Sequence, residues 1–294
     1  MTKTVWVFPG QGSQVKDMGV DLFSLPEAKE KLEFAQQILG WSVPEICKSE
    51  EKLSHTPYTQ PALYTVESLL VDLMRSRGAK PQLVAGHSLG EYVALYAAGV
   101  FNFQAGLALV KQRSELMNKA DEGQMAALMG FDREELEEKI AQNKYKDVVI
   151  ANDNSPAQVV ISGTKAAVEE IIANIKVKRA VKLKVSKAFH SPFMESASAE
   201  FEKVLDSVPF TDAEIAVISN VDPTPATAAE ILKERLKRQI VGSVRWREIS
   251  LQLPEEGVER VVEIGPGKVL TGLIKRTCSG LTLQNVSSAA DLPN

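Results

Sequence analysis

Strand and helix signals alternate along this chain except between about residue 125 and residue 190, and that interruption restricts the fold more than any other feature. Before it, 4–8 (TVWVF) has the pattern of a buried strand that stops at Pro9-Gly10. Residues 26–40 and 59–78 carry helical patterns, the second closing on Gly78, and 81–86 (PQLVAG) is a further strand. After it, strand 214–220, helix 227–240, strand 257–265 and a last helix begun within 265–276 resume the alternation. Such a rhythm predicts a parallel sheet covered by helices, with functional loops at the carboxyl ends of its strands. Within the interruption the order is strand 125–130, helix 132–143, strands 146–152 and 157–163, helix 164–175 and strand 179–186. That β-α-β-β-α-β order is the ferredoxin-like unit, complete in one segment. The expectation is an α/β chain in which 1–124 and 190–294 build the large catalytic subdomain and 125–189 a small inserted one. The tail 287–294 (SSAADLPN) is expected to fray.

With 294 residues, 44% of them hydrophobic, the chain can bury a sizeable core. Its formal charge of −4 argues against a general affinity for nucleic acid or an anionic membrane. Cys47 and Cys278 stand far apart, which is neither a disulfide framework nor a zinc-ligand spacing. The first residues run straight from a short strand into a glycine turn, without an apolar stretch fit for a signal peptide or a membrane span. A cytoplasmic location is expected.

Residues 86–91 read GHSLGE. A serine two residues from a glycine on either side, with a strand before it and an alanine-rich helix after it, has the setting of a strained turn that exposes a nucleophilic hydroxyl. The plainer alternative is a glycine-flanked turn. Ser88 as nucleophile needs a base, and the chain has three histidines. His87 adjoins Ser88, where side chains diverge, so it packs or orients the turn. His55 precedes a helix and either caps it or is exposed. His190, in KAFHSPF, lies where the small subdomain hands back to the large one, and by elimination is the better base; a structural histidine is the alternative.

The loop FPGQGSQ (8–14) fails as a phosphate cradle. A third fingerprint glycine would fall at Val15, and no Gly-Lys-Ser/Thr follows. An amide of this loop placed beside the Ser88 turn could instead pair with the Leu89 amide as an oxyanion hole; a simple tight turn is the alternative. In the helical run 103–119, Gly106, Leu109, Val110, Arg113, Leu116 and Met117 share one face, so Arg113 interrupts an apolar stripe. A buried guanidinium must find an anion: either a substrate carboxylate held in a bidentate clamp or an internal Asp or Glu. The turn in EIGPGKVL says only that its loop is constrained. Lys182 and Lys184, in a lysine-rich strand, share a face that is either solvated or a docking surface for an acidic partner.

Taken together, FPGQGSQ, YTQPAL (58–63), GHSLGEYVAL (86–95), LVKQRSELM (109–117), NSPAQVVISG (154–163), AFHSPFM (188–194), RQIVGSVRW (238–246) and EIGPGKVLTGL (263–273) resemble the malonyl-CoA:acyl carrier protein transacylases of fatty acid synthesis and the related acyltransferase domains of polyketide synthases. The resemblance spans nearly the whole chain. It implies an α/β-hydrolase-like core with a ferredoxin-like insert. It implies Ser88 as nucleophile, His190 as base, the amides of Gln11 and Leu89 as oxyanion donors, Arg113 as carboxylate clamp and Gln239 as a residue that helps orient the histidine. Malonyl-CoA is then the donor and the phosphopantetheine thiol of acyl carrier protein the acceptor, with no metal or other cofactor and the chain acting as a monomer. Phe189 departs from the small residue common before the histidine in bacterial stand-alone enzymes. It is similar to the malonyl-selective polyketide pattern, which leaves a trans-acting polyketide role as an alternative. A serine thioesterase would normally need several strands before the serine and an acidic triad member, and a non-catalytic carrier-binding module would not need Ser88, His190 and Arg113 together.

Overall fold

The computed structural model describes residues 2–142 and 147–293. Its strands, in chain order, are β1 (Thr4–Phe8), β2 (Leu83–Gly86), β3 (Gln124–Phe131), β4 (Val148–Ser155), β5 (Gln158–Gly163), β6 (Val177–Lys182), β7 (Ala216–Ile218), β8 (Arg260–Ile264) and β9 (Thr282–Val286). β7-β2-β1-β8-β9 form one sheet in which every pairing is parallel. β1 and β2 lie inside it and are apolar nearly throughout, because helices cover both faces of such a sheet. Strand alternation divides β1 between two cores: Trp6 and Phe8 pack on one side, Val5 and Val7 on the other with Leu83, Ala85 and Ile218.

A second sheet is antiparallel, in the order β4-β5-β3-β6, and its elements follow one another as strand, helix, strand, strand, helix, strand. Ala126 and Leu128 of β3 face the unit's own helices, Arg133–Gln142 and Lys165–Asn174, in a third core. Met125 and Ala127, on the opposite face, join the main core. The expected helix end at Asn143 and strand start at Lys146 lie outside the described residues.

Three expectations need correction. Two helices, Glu195–Ser207 and Trp246–Glu255, and the edge strand β9 stand where no element is expected, so the helix Val269–Thr277 is not the last element. The tail is tied down as far as Asp291: the Asp291 carboxylate accepts hydrogen bonds from Ser287 and Ser288, and the Ala289 N–H donates to Asp21. Finally, β6 ends at Lys182, although exposure still alternates beyond it so that Lys182 and Lys184 both face solvent.

The helix Thr56–Ser76 runs through the centre of the main core and is buried on nearly all sides. It carries Glu67, which is fully buried and has no hydrogen-bond partner for either oxygen among the described residues. Burial, reinforced by the nearby Glu263, raises its pKa well above the usual carboxylate range. Glu263 is different: its carboxylate is saturated by the N–H groups of Leu270 and Thr271, the Thr271 hydroxyl and Asn285. A carboxyl whose pKa is raised by folding supports the fold at low pH and weakens it as pH rises, at about 1.4 kcal/mol for each pH unit over which only the unfolded form ionises. Glu67→Gln should therefore raise the melting temperature at pH 8 by a few degrees, with the gain shrinking towards pH 5. A lower melting temperature at pH 8 would mean that Glu67 is held as a carboxylate.

Candidate active site

Ser88 stands between β2 and the helix Gly90–Ala97, in the left-handed region at φ +52°. A non-glycine residue stays there only if its surroundings hold it. The Ser88 N–H donates to Asn220 Oδ1 (2.7 Å), and the Ser88 carbonyl accepts from Gln239 Nε2 (2.9 Å). The turn also lies hard against the end of β1. A Cβ on Gly90 would sit 2.0 Å from the Phe8 carbonyl oxygen, and one on Gly10 would sit 2.4 Å from the His87 carbonyl oxygen. Glycine at these two positions is thus what brings the FPGQG loop beside Ser88.

His190 is also left-handed, at φ +56°, and it is buried. Its Nε2 lies 2.8 Å from Ser88 Oγ. Its Nδ1 faces two carbonyl oxygens, of Gln239 at 2.9 Å and Gly242 at 3.1 Å, so Nδ1 carries the proton and Nε2 is free to accept one from Ser88. No carboxylate contacts His190 among the described residues, unlike the third member of a hydrolase triad. Burial first, and the Arg113 charge second, lower its pKa to about 3.

Arg113 is fully buried with its guanidinium turned into the site. Nη1 donates to Gln60 Oε1 (2.7 Å), and Nη2 donates to both Ser88 Oγ (3.0 Å) and Gln239 Oε1 (3.0 Å). It has no ion-pair partner among the described residues. Glu91, also buried, balances its charge at one remove: the Gln239 amide accepts from Arg113 and donates to Glu91 (2.7 Å).

The remaining candidates fall around this centre. The Gln11 side chain donates to Thr56 and accepts from Gln60, while the Gln11 and Leu89 N–H groups meet no protein acceptor among the described residues. Gln239 reaches His190 through its backbone carbonyl and spends its side chain on Ser88, Glu91 and Arg113. His87 bonds Asn154 (2.9 Å) and packs on Trp246, as a turn-orienting residue should. His55 is exposed at the start of its helix and caps nothing through its side chain. A cavity of about 90 Å³ is lined by Ser88, His190, Gln11, Met117, Met125 and Phe189, among others. It shares Leu183, Val185 and Phe189 with an outer cleft of about 520 Å³ that carries Lys182, Lys184 and Lys187. No group of His, Cys, Asp and Glu suited to a metal occurs among the described residues.

Residues 5–294 match the acyl transferase domain family. This chain belongs to that family. The acyltransferase is 57% identical to the malonyl CoA-acyl carrier protein transacylase of Synechocystis over 99% of both chains. The crystal structure of the Synechocystis protein matches with a TM-score of 0.96 over 98% of each chain. It is 44% identical to PksC of Bacillus subtilis, a polyketide biosynthesis malonyl CoA-acyl carrier protein transacylase, over 92% of this chain and 96% of that one. A malonyl-transacylase solved with a type II polyketide acyl-carrier protein matches with a TM-score of 0.93 at 36% identity, over 99% of this chain and 97% of that one.

Three residues of the acyltransferase site escaped the reasoning from sequence. Gln60 and Glu91 lie inside quoted motifs but had no chemistry assigned to them. Asn220 ends β7's strand pattern with a polar side chain, where a parallel sheet places its functional loops, and that signal was available.

The lowered pKa keeps His190 neutral as the medium is acidified, so its Nε2 can still accept a proton at pH values where an ordinary histidine cannot. The rate at which Ser88 takes up an acyl group, corrected for unfolding, should stay level from about pH 8 to about pH 5. A fall with a midpoint near the ordinary value of 6.5 would contradict this assignment.

Proposed function

We propose that this acyltransferase moves the malonyl group of malonyl-CoA to the phosphopantetheine thiol of acyl carrier protein in fatty acid synthesis, through a malonyl ester on Ser88. Ser88 Oγ attacks the thioester carbonyl while His190 Nε2 takes its proton, and the carbonyl oxygen becomes an oxyanion held by the Gln11 and Leu89 N–H groups. Collapse breaks the carbon–sulfur bond, and His190 returns the proton to the departing CoA sulfur. The pantetheine thiol then gives its proton to His190 and attacks the ester, and Ser88 recovers its hydrogen. These steps call on no metal or cofactor. We take the protein to act as a monomer, and we assign it to the cytoplasm.

The observation that carries this reading is Arg113: a buried cation, without a carboxylate in direct contact among the described residues, donating to the oxygen of Ser88. It fits an acyl group that ends in a carboxylate. Phe189, buried against the same cavity, leaves little room for a branched acyl group. Lys182 and Lys184 at the outer cleft suit an acidic carrier protein, although Lys182 is already paired with Glu169. The greater identity to the Synechocystis enzyme than to PksC does not favour the polyketide alternative.

At the level of architecture we take the parallel sheet as α/β-hydrolase-like, with 1–124 and 190–294 in the large subdomain. The strand order β4-β5-β3-β6 and the separate core beneath it support a ferredoxin-like subdomain over 125–189.

Malonyl-CoA and acetyl-CoA present the same thioester and differ in the free carboxylate. Arg113→Ala should lower kcat/KM for malonyl transfer by roughly 30- to 1000-fold, equivalent to the ~2–4 kcal/mol cost of losing a buried charged pair, while acetyl transfer holds or improves. Arg113→Lys should recover part of the malonyl activity, since it keeps the charge without the planar fork. An equal fall for both donors would make Arg113 a structural residue and remove the clamp.

A further inference from the structure

We propose that Arg113 also holds Ser88 in a resting state, and that the carboxylate of the incoming acyl group releases it by drawing the guanidinium away from the serine oxygen. The proposal rests on the malonyl-transfer reading and adds a step to it.

Ser88 Oγ has one proton and two lone pairs. The proton points to His190 Nε2, and Arg113 Nη2 donates to the oxygen at 3.0 Å. One lone pair of the nucleophile is therefore engaged by a cation, which withdraws electron density from the atom that has to attack. The acceptors now on the guanidinium are all neutral: two side-chain amides and this hydroxyl. Its Nε is buried without a hydrogen-bond partner among the described residues, and the ring that packs on it, Tyr92, is neutral, so no anion serves the cation directly. The hydroxyl meets the cation with a neutral oxygen, whereas a carboxylate brings opposite charge and two oxygens that can take parallel N–H groups, so it displaces the hydroxyl from Nη2. The same contact offsets the positive charge that opposes a proton on His190, which makes the imidazole a better base at the moment of attack.

Recognition and activation are then one event. An acyl group without a carboxylate can enter the cavity and still meet a serine tied to Arg113, so the discrimination falls on the chemical step rather than on binding alone.

The test separates the carboxylate from the thioester. Wild-type protein is mixed with acetyl-CoA, sodium formate is titrated in, and acetyl-Ser88 formation is followed by intact mass, with sodium chloride at equal ionic strength as control. Formate should raise the acetylation rate saturably, by about tenfold or more, the range for releasing a hydrogen bond to a charged group. It should not raise malonylation by malonyl-CoA. In a second measurement that involves no CoA binding, formate should speed the labelling of Ser88 by methanesulfonyl fluoride. Arg113→Ala should acetylate without any response to formate. The proposal is overturned if formate leaves acetylation and sulfonylation unchanged, slows them, or acts no differently from chloride, while malonylation proceeds. That result leaves the proposed function standing, whereas a failure of malonylation itself would count against the function.

Discussion

Two backbones meet at the carboxyl ends of β1 and β2 more closely than any side chain would allow, and the site depends on that meeting. Gly90 lies against the Phe8 carbonyl and Gly10 against the His87 carbonyl. Because β1 and β2 are adjacent parallel strands, their following loops emerge side by side, and the glycines let one loop close onto the other. The contact aligns three things at once: the left-handed Ser88, the N–H of Leu89 after it and the loop that carries Gln11. Alanine at Gly90 would drive a carbon into a carbonyl of the central strand, so the expected damage is to the turn and the loop together.

Around this turn the site is assembled from neutral groups that relay charge. Ser88 is held through its N–H and carbonyl by Asn220 and Gln239, from segments more than 130 residues away. His190 is oriented by two peptide carbonyls in place of a carboxylate. Arg113 is served by glutamine oxygens, with Glu91 one amide further off. An anion placed directly on His190 or Arg113 would stabilise the imidazolium, or saturate the guanidinium, before a substrate arrives. Neutral partners hold the geometry and leave both groups responsive to the charge that the substrate brings.

Much of this was legible in the sequence, for physical reasons that differ from residue to residue. The Ser88 turn announced itself because strand, glycine, serine, glycine and helix form a local pattern. Arg113 stood out because a charge interrupted an otherwise apolar helical face. β9 was missed because an edge strand of alternating, mostly polar residues (TLQNV) buries only its last side chain fully. The helix Trp246–Glu255 was obscured by its internal Pro254 and by a short apolar face. Gln239 was associated with the histidine by resemblance, yet no pattern of residues could tell that its peptide carbonyl, rather than its side chain, makes the contact. Gln60, Glu91 and Asn220 join the site only because the fold brings them to one point.

The central claim is that Ser88, with His190 as its base, carries the acyl group between donor and acceptor. Intact-protein mass spectrometry after mixing with malonyl-CoA, without acyl carrier protein, tests it most directly. The account predicts the gain of a single malonyl group, located on Ser88, lost on addition of the carrier protein and absent in Ser88→Ala. A malonyl adduct that persists in Ser88→Ala, or transfer to carrier protein by that variant at the wild-type rate, would contradict it.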